Sequence, residues 1–236
     1  MFNLPNFLTL INLFSGCLAI VFVFSFHIDW VPFCIVISLV ADFFDGMAAR
    51  ALKTPKGIGK ELDSLADVVS FGVVPACVVF HLLLQFWETK NLSESFLFLA
   101  ASPAFFLALF AALRLAKFNV DERQTTGFIG LATPAATIFV IGILLVFLNN
   151  SFNLSATIFQ PFFLYGMVAV LSFLMIAKIP MFSFKISFKN GIKGNEIQLV
   201  FILLVVMLAA TIKFAAVPAS IILYVLLSFI QPFLKK

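Results

Sequence analysis

Eight apolar runs, at roughly 6–26, 31–50, 63–87, 95–117, 131–148, 157–177, 197–212 and 215–232, make up most of this chain, most of them near the ~20 residues a helix needs to cross a hydrocarbon core. This pattern constrains the fold more than any single residue. With 63% apolar and only 11% charged residues over 236, too little polar surface remains to coat a water-soluble globule. The expected fold class is therefore all-α, a polytopic transmembrane helix bundle forming one domain over 1–236. Its catalytic core would occupy about 1–177 and a C-terminal helix pair about 197–232. Because the last two runs are short and separated only around Lys213, six helices plus a re-entrant or tightly turned pair is the alternative.

Of the 15 lysines and arginines, all but Lys90 and Lys213 fall in the even-numbered connections or at the C-terminus. By the positive-inside rule both termini, and the connection after the second run, face the cytoplasm; the expected setting is a bacterial cytoplasmic membrane. The first run lacks a basic leader region and reads as a retained helix. Net positive charge is thus a topology signal with some attraction for lipid headgroups. No nucleic-acid partner is expected, since the basic loops lack interleaved aromatics. The longest connection, 178–196, is basic and turn-rich and suits a membrane surface. Cys17, Cys34 and Cys77 lack metal-ligand spacing and read as small buried apolar residues. His27 and His81 have no partner at ligand spacing, while Trp30 and Trp87 fall where interfacial aromatics are common.

Against this background residues 41–67, ADFFDGMAARALKTPKGIGKELDSLAD, gather four aspartates. Asp42 and Asp45 are spaced i, i+3 at the end of the second run, and Asp63 and Asp67 i, i+4 at the start of the third, so each pair shares a helical face. The short connection makes the two helices neighbours, and the carboxylates converge at one mouth of the bundle. An aspartate at the centre of a spanning helix costs about 2.5–3.5 kcal/mol, less near the interface, and four together also repel. Arg50 or the loop lysines could pair with some of them. A compact all-oxygen cluster is, however, the donor set that hard divalent cations take. Two ions bridged by shared carboxylates, about 3.5–4 Å apart, would form a clamp for phosphoryl chemistry. Gly46 could serve helix packing or close approach of a ligand, and Arg50 could equally be a snorkelling anchor.

The stretch fits D-x2-D-G-x2-A-R-x8-G-x3-D-x3-D through Asp42, Asp45, Gly46, Ala49, Arg50, Gly59, Asp63 and Asp67. It resembles the signature of the CDP-alcohol phosphatidyltransferases. That resemblance implies a homodimeric membrane enzyme using two divalent cations, Mg²⁺ or Mn²⁺, held by Asp42, Asp45, Asp63 and Asp67. It also implies that Asp67 is the base that deprotonates the acceptor alcohol, and that Gly46, Arg50 and Gly59 lie at the CDP moiety. Thr9 and Asn12, on one face of the first helix, match a region that approaches the nucleotide in this family.

The signature leaves the acceptor open. LPNFLTLINLFSGCLAI at 4–20, LDSLADVVSFGVVPA at 62–76, ALRLAKFNV at 112–120 and GFIGLATPAA at 127–136 resemble the phosphatidylserine synthase branch, with Lys117 and Ala132 where arginine and proline are expected. This implies transfer of a phosphatidyl group from CDP-diacylglycerol to L-serine, giving phosphatidylserine and CMP, with membrane lipids as the surroundings. Free serine brings a carboxylate and an ammonium. Arg114, Lys117 and Asn119 are candidate readers of these groups, although Arg114 and Lys117 also suit positive-inside anchoring. Ser70 and Ser64 either face the acceptor pocket or bond back to their own helix. Glycerol 3-phosphate or an inositol phosphate is an alternative acceptor. A cation transporter is a more distant alternative, disfavoured because the acids sit at one membrane face and no repeated half is evident.

Overall fold

The computed structural model describes residues 3–52, 57–90, 93–120, 128–182 and 196–234. Helices α1 (Leu4–Phe24) and α2 (Val31–Ala51) are joined through a 3-10 turn at Ile28–Trp30. The third rod is composite: α3 (Ile58–Val68), a π turn (Val69–Val73) and α4 (Val74–Glu88). The fourth joins α5 (Glu94–Ala101) to α6 (Phe106–Val120) through a 3-10 segment at Ser102–Phe105, where Pro103 interrupts regular helix. Helix α7 (Thr133–Leu148), the short α8 (Ser155–Ile158) with α9 (Pro161–Ile176), α10 (Glu196–Ile212) and α11 (Ala216–Leu234) complete the bundle.

Among the described residues, five helical stretches are long and apolar enough to cross a membrane, and Thr133–Leu148 and Pro161–Ile176 are shorter apolar helices. The protein is a polytopic helical membrane protein. The fifth stretch, Ile197–Gln231, is no straight rod. It turns at Lys213, whose φ is +47°, and α10 packs back against α11. The C-terminal pair is therefore a tight helical hairpin, one of the two arrangements the short apolar runs allow.

Proline punctuates the starts of these helices. Pro5, Pro32, Pro134 and Pro161 each sit in the first two positions of a helix, where an amide hydrogen would have no intrahelical acceptor. Pro75 differs, because it lies within the continuous 58–88 rod. Its missing N–H deprives the carbonyl of Phe71, four residues earlier, of a donor. The backbone widens into the π turn there, and Thr137 of α7 donates its hydroxyl to the Phe71 carbonyl at 2.8 Å.

One face of α1, through Asn6, Thr9, Asn12, Ser15, Gly16, Ala19 and Val23, is buried, and α1 packs against α2, α3 and the π turn. Helix α4 is buried without a break from Val74 to Leu83 and forms the centre of the bundle. Opposite α1, Phe33, Val36, Phe43, Phe44 and Met47 of α2 are exposed, as expected of a surface that meets lipid. A two-stranded antiparallel clip, β1 (Phe128–Ile129) with β2 (Pro180–Met181), ties the start of α7 to the end of α9. Tyr224 of α11 anchors this clip by donating to the Phe182 carbonyl at 3.1 Å.

Two readings change. The third rod begins at Ile58, so Asp63 lies more than a turn inside the helix instead of at its start. Charged Lys60 and Glu61 end the apolar run without ending the helix. Cys17 is exposed, whereas Cys34 and Cys77 are buried. At the opposite end of the bundle Trp87 donates to the Tyr165 hydroxyl at 3.0 Å, and Tyr165 donates to the Ala100 carbonyl at 2.7 Å. Lys53, Lys56, Arg123, Lys185, Lys189, Lys193, Lys235, Lys236 and most of the 178–196 connection lie outside the described residues.

Candidate active site

The α2–α3 hairpin brings both aspartate pairs together. Asp42, Asp63 and Asp67 each offer a carboxylate oxygen within 4.8 Å of the others. Asp45 stands beside this triad, buried at 5% exposure, and accepts the Thr9 hydroxyl at 2.6 Å. Asp67, 9% exposed, accepts the Asn12 side-chain amide on Oδ1 at 3.2 Å. Helix α1 thus reaches one member of each pair, Asp45 through Thr9 and Asp67 through Asn12. Asp42, Asp63 and Asp67 thus form a close triad, and Asp45 lies outside it with its carboxylate held from α1.

Among the described residues, two oxygens in this region are buried without a hydrogen-bond partner, Asp63 Oδ1 and Asn12 Oδ1. Buried polar atoms are rarely left so, and an orphaned carboxylate oxygen inside an acidic cluster suits a cation. The donors are all oxygen, the preference of hard divalent ions over zinc or copper. The aspartate cluster can therefore hold a divalent metal.

The glycines of the motif divide. Among the described residues, a Cβ on Gly46 would meet nothing nearer than Arg50 Nη1 at 4.0 Å, so none of the described helices requires glycine there. A Cβ on Gly59 would lie 2.9 Å from Asn6 Oδ1, so this glycine lets the start of α3 close on α1. Asn6 belongs to the capped end of α1, where the Asn3 side chain accepts the Asn6 N–H at 3.0 Å. Arg50 is exposed.

The candidate acceptor residues also separate. Arg114 is 7% exposed, its Nε has no hydrogen-bond partner, and it lies within electrostatic reach of Asp67 and Tyr224. Lys117, three residues on, is exposed. Asn119 donates to Ser64 Oγ at 2.7 Å, and its carbonyl receives Lys60 Nζ at 3.1 Å, tying the end of α6 to α3. Ser64 bonds back to the Lys60 carbonyl at 3.2 Å. Ser70 does not bond back: its buried hydroxyl donates across to the Asn12 carbonyl at 3.0 Å. Ser38 of α2 donates to the same carbonyl at 3.1 Å. It was not singled out in the sequence, although it precedes Asp42 by one turn.

The family profile described as CDP-alcohol phosphatidyltransferase matches residues 2–230. The chain belongs to this family. Membership makes it a transferase and accounts for the eight motif positions across α2 and α3. Among curated relatives, a Helicobacter pylori protein named CDP-diacylglycerol–serine O-phosphatidyltransferase is 32% identical over 203 residues, covering 85% of this chain and 80% of its own length. A Bacillus subtilis protein of the same name is 33% identical over 182 residues, 77% of this chain and 91% of the relative. One from Methanocaldococcus jannaschii is 36% identical over 140 residues, 59% of each chain. Members of the family thus share this branch name across bacteria and archaea.

Proposed function

We propose that this protein transfers the phosphatidyl group of CDP-diacylglycerol to the hydroxyl of L-serine, releasing phosphatidylserine and CMP. The observation that carries this reading is the convergence of Asp42, Asp63 and Asp67 across the α2–α3 hairpin in a chain of this family. The acceptor follows from the names of the relatives, CDP-diacylglycerol–serine O-phosphatidyltransferases.

Asp42, Asp45, Asp63 and Asp67 would hold two divalent cations, Mg²⁺ or Mn²⁺. When bound, they supply charge neutralisation of the donor diphosphate and stabilisation of charge on departing CMP. Asp67 accepts the serine hydroxyl proton as the oxygen–phosphorus bond forms and the bond to CMP breaks, a concerted transfer suited to a weak base. Asn12, bonded to Asp67 Oδ1, fixes the orientation of that carboxylate. The surface at Gly46, with Arg50 beside it, receives the CDP moiety. Arg114, a buried guanidinium with a free Nε, binds the serine carboxylate by charge-assisted hydrogen bonds. Among the described residues no cysteine, serine or histidine pair is arranged as a covalent nucleophile, in keeping with single displacement.

In this reading the protein is a homodimer in a bacterial cytoplasmic membrane, with the aspartate face toward the cytoplasm, where serine is available. The donor's acyl chains stay in the bilayer while its headgroup meets the aspartates. CMP release from CDP-diacylglycerol, measured with serine, glycerol 3-phosphate and an inositol phosphate in turn, tests the acceptor. Turnover with serine alone is expected; turnover with a phosphorylated acceptor and none with serine overturns the assignment.

A further inference from the structure

Both aspartate helices are fastened to one atom. The main-chain carbonyl of Asn12 in α1 accepts Ser38 Oγ from α2 at 3.1 Å and Ser70 Oγ from the π turn at 3.0 Å. Ser38 lies one helical turn before Asp42, and Ser70 one turn after Asp67. The side chain of the same Asn12 reaches Asp67. One residue of α1 therefore touches both arms of the hairpin directly beneath the carboxylates.

The surroundings are built to admit this contact. Asn12, Ser38 and Ser70 are each 0% exposed. A Cβ on Gly16 would collide with Ser70 Oγ and lie 3.0 Å from Ser70 Cα, so α1 and the π turn meet at a distance that only glycine permits. A helical serine can satisfy itself by bonding to a carbonyl of its own preceding turn. Thr137 does this while also reaching Phe71, and Ser64 does it alone. Ser38 and Ser70 instead direct their hydroxyls to another helix. The π turn that presents Ser70 toward α1 is the one that Pro75 imposes, so the backbone irregularity and the hydroxyl contact form one device.

We infer that the Asn12 carbonyl, held by Ser38 and Ser70, sets the spacing of the two aspartate pairs, and that these serines are positioning residues for the cation site. This rests on the reading that the aspartates hold a divalent cation. Neither hydroxyl touches a carboxylate or the reacting atoms; each acts through the placement of its helix. Partners beyond the direct ligands of a metal site typically change affinity 10–100-fold when removed.

The test is Mn²⁺ binding to the purified full-length protein without substrate, followed by the electron paramagnetic resonance signal of free Mn²⁺. Wild type is compared with Ser38→Ala, Ser70→Ala, the double variant, Asp63→Asn and Thr137→Val. The last removes a buried hydroxyl contact to the same π turn without touching Asn12. Each serine variant is expected to weaken Mn²⁺ binding about tenfold, the double variant by less than the product of the two, and Thr137→Val by less than twofold. Wild-type affinity in both serine variants overturns the inference, as does equal weakening in Thr137→Val. Should Ser70→Ala fail to fold, Ser38→Ala decides. Absence of Mn²⁺ binding in wild type, or binding unchanged in Asp63→Asn, overturns the underlying cation reading instead.

Discussion

Thr9 of α1 donates its hydroxyl to Asp45 of α2 at 2.6 Å, both side chains being buried. Asp45 is the one motif aspartate outside the close triad, and this bond ties its Oδ2 to α1. A hydrogen bond to a charged acceptor contributes about 1.5–3 kcal/mol. In an apolar bundle its loss leaves a carboxylate able to rotate away from its neighbours.

Thr9→Val keeps the shape of the side chain and removes that donor. Half-maximal activity is expected to need about tenfold more divalent cation, with full turnover recovered at saturation. Thr9→Ser should stay near wild type. A cation titration of CMP release checks both, and an unchanged requirement in Thr9→Val would show that Asp45 needs no orientation from α1.

Asp67→Asn removes the proposed base while nearly preserving volume. General-base contributions run about 10²–10⁴-fold, so kcat should fall by at least that range while the protein still binds CDP-diacylglycerol. Asp63→Asn should weaken cation binding as well. Equilibrium binding of the donor, measured beside single-turnover CMP release, separates the two effects. A loss of donor binding in Asp67→Asn equal to its loss of turnover would assign Asp67 to ligand binding alone.

Addition of a chelator should abolish turnover, and either Mg²⁺ or Mn²⁺ should restore it. The all-oxygen donors around Asp42, Asp63 and Asp67 favour hard ions. Zn²⁺ should restore little. Recovery measured as CMP released per minute after dialysis checks this, and full activity in chelator would remove the metal from the reaction.

The helical bundle and the aspartate pairing were legible in the chain because both depend on local spacing: the length of apolar runs for the helices, and i, i+3 and i, i+4 separations for Asp42, Asp45, Asp63 and Asp67. The start of α3 was not, since hydropathy marks where hydrocarbon ends and the helix continues through Lys60 and Glu61. The π turn had a signal in Pro75, but its consequence depends on Thr137, 66 residues away, taking the Phe71 carbonyl. Ser70 offered a choice between its own helix and a pocket. The hydroxyl does not bond back to its own helix, because Gly16 on α1 leaves room for it to cross to Asn12.

Gly142 tests how the C-terminal hairpin is held. A Cβ there would lie 2.6 Å from Pro218 Cδ and 2.8 Å from Pro218 N, so α7 and α11 touch nearly backbone to backbone. Gly142→Ala must separate the two helices, and overpacking of this kind costs about 1–3 kcal/mol. Thermal unfolding in detergent should begin at a lower temperature while cation affinity stays at the wild-type level, because the aspartates lie on α2 and α3.

Arg114 and Lys117 sit one turn apart on α6, and sequence alone offers them the same two roles. Burial separates them: Arg114 is 7% exposed with its Nε unpartnered, whereas Lys117 is exposed. A buried guanidinium N–H left without an acceptor is costly, and on the proposed reading the serine carboxylate would take the Arg114 Nε–H. Losing one charge-assisted interaction of about 1.5–3 kcal/mol corresponds to roughly a 10–100-fold rise in KM for serine. Arg114→Lys should show a rise of that order, since an ammonium cannot reproduce the planar fork, and the KM for CDP-diacylglycerol should be unchanged. Lys117→Met should alter either constant by less than about twofold, as exposed charges contribute little. If Arg114→Lys lowers kcat and leaves the serine KM intact, Arg114 acts on Asp67 and not on the acceptor.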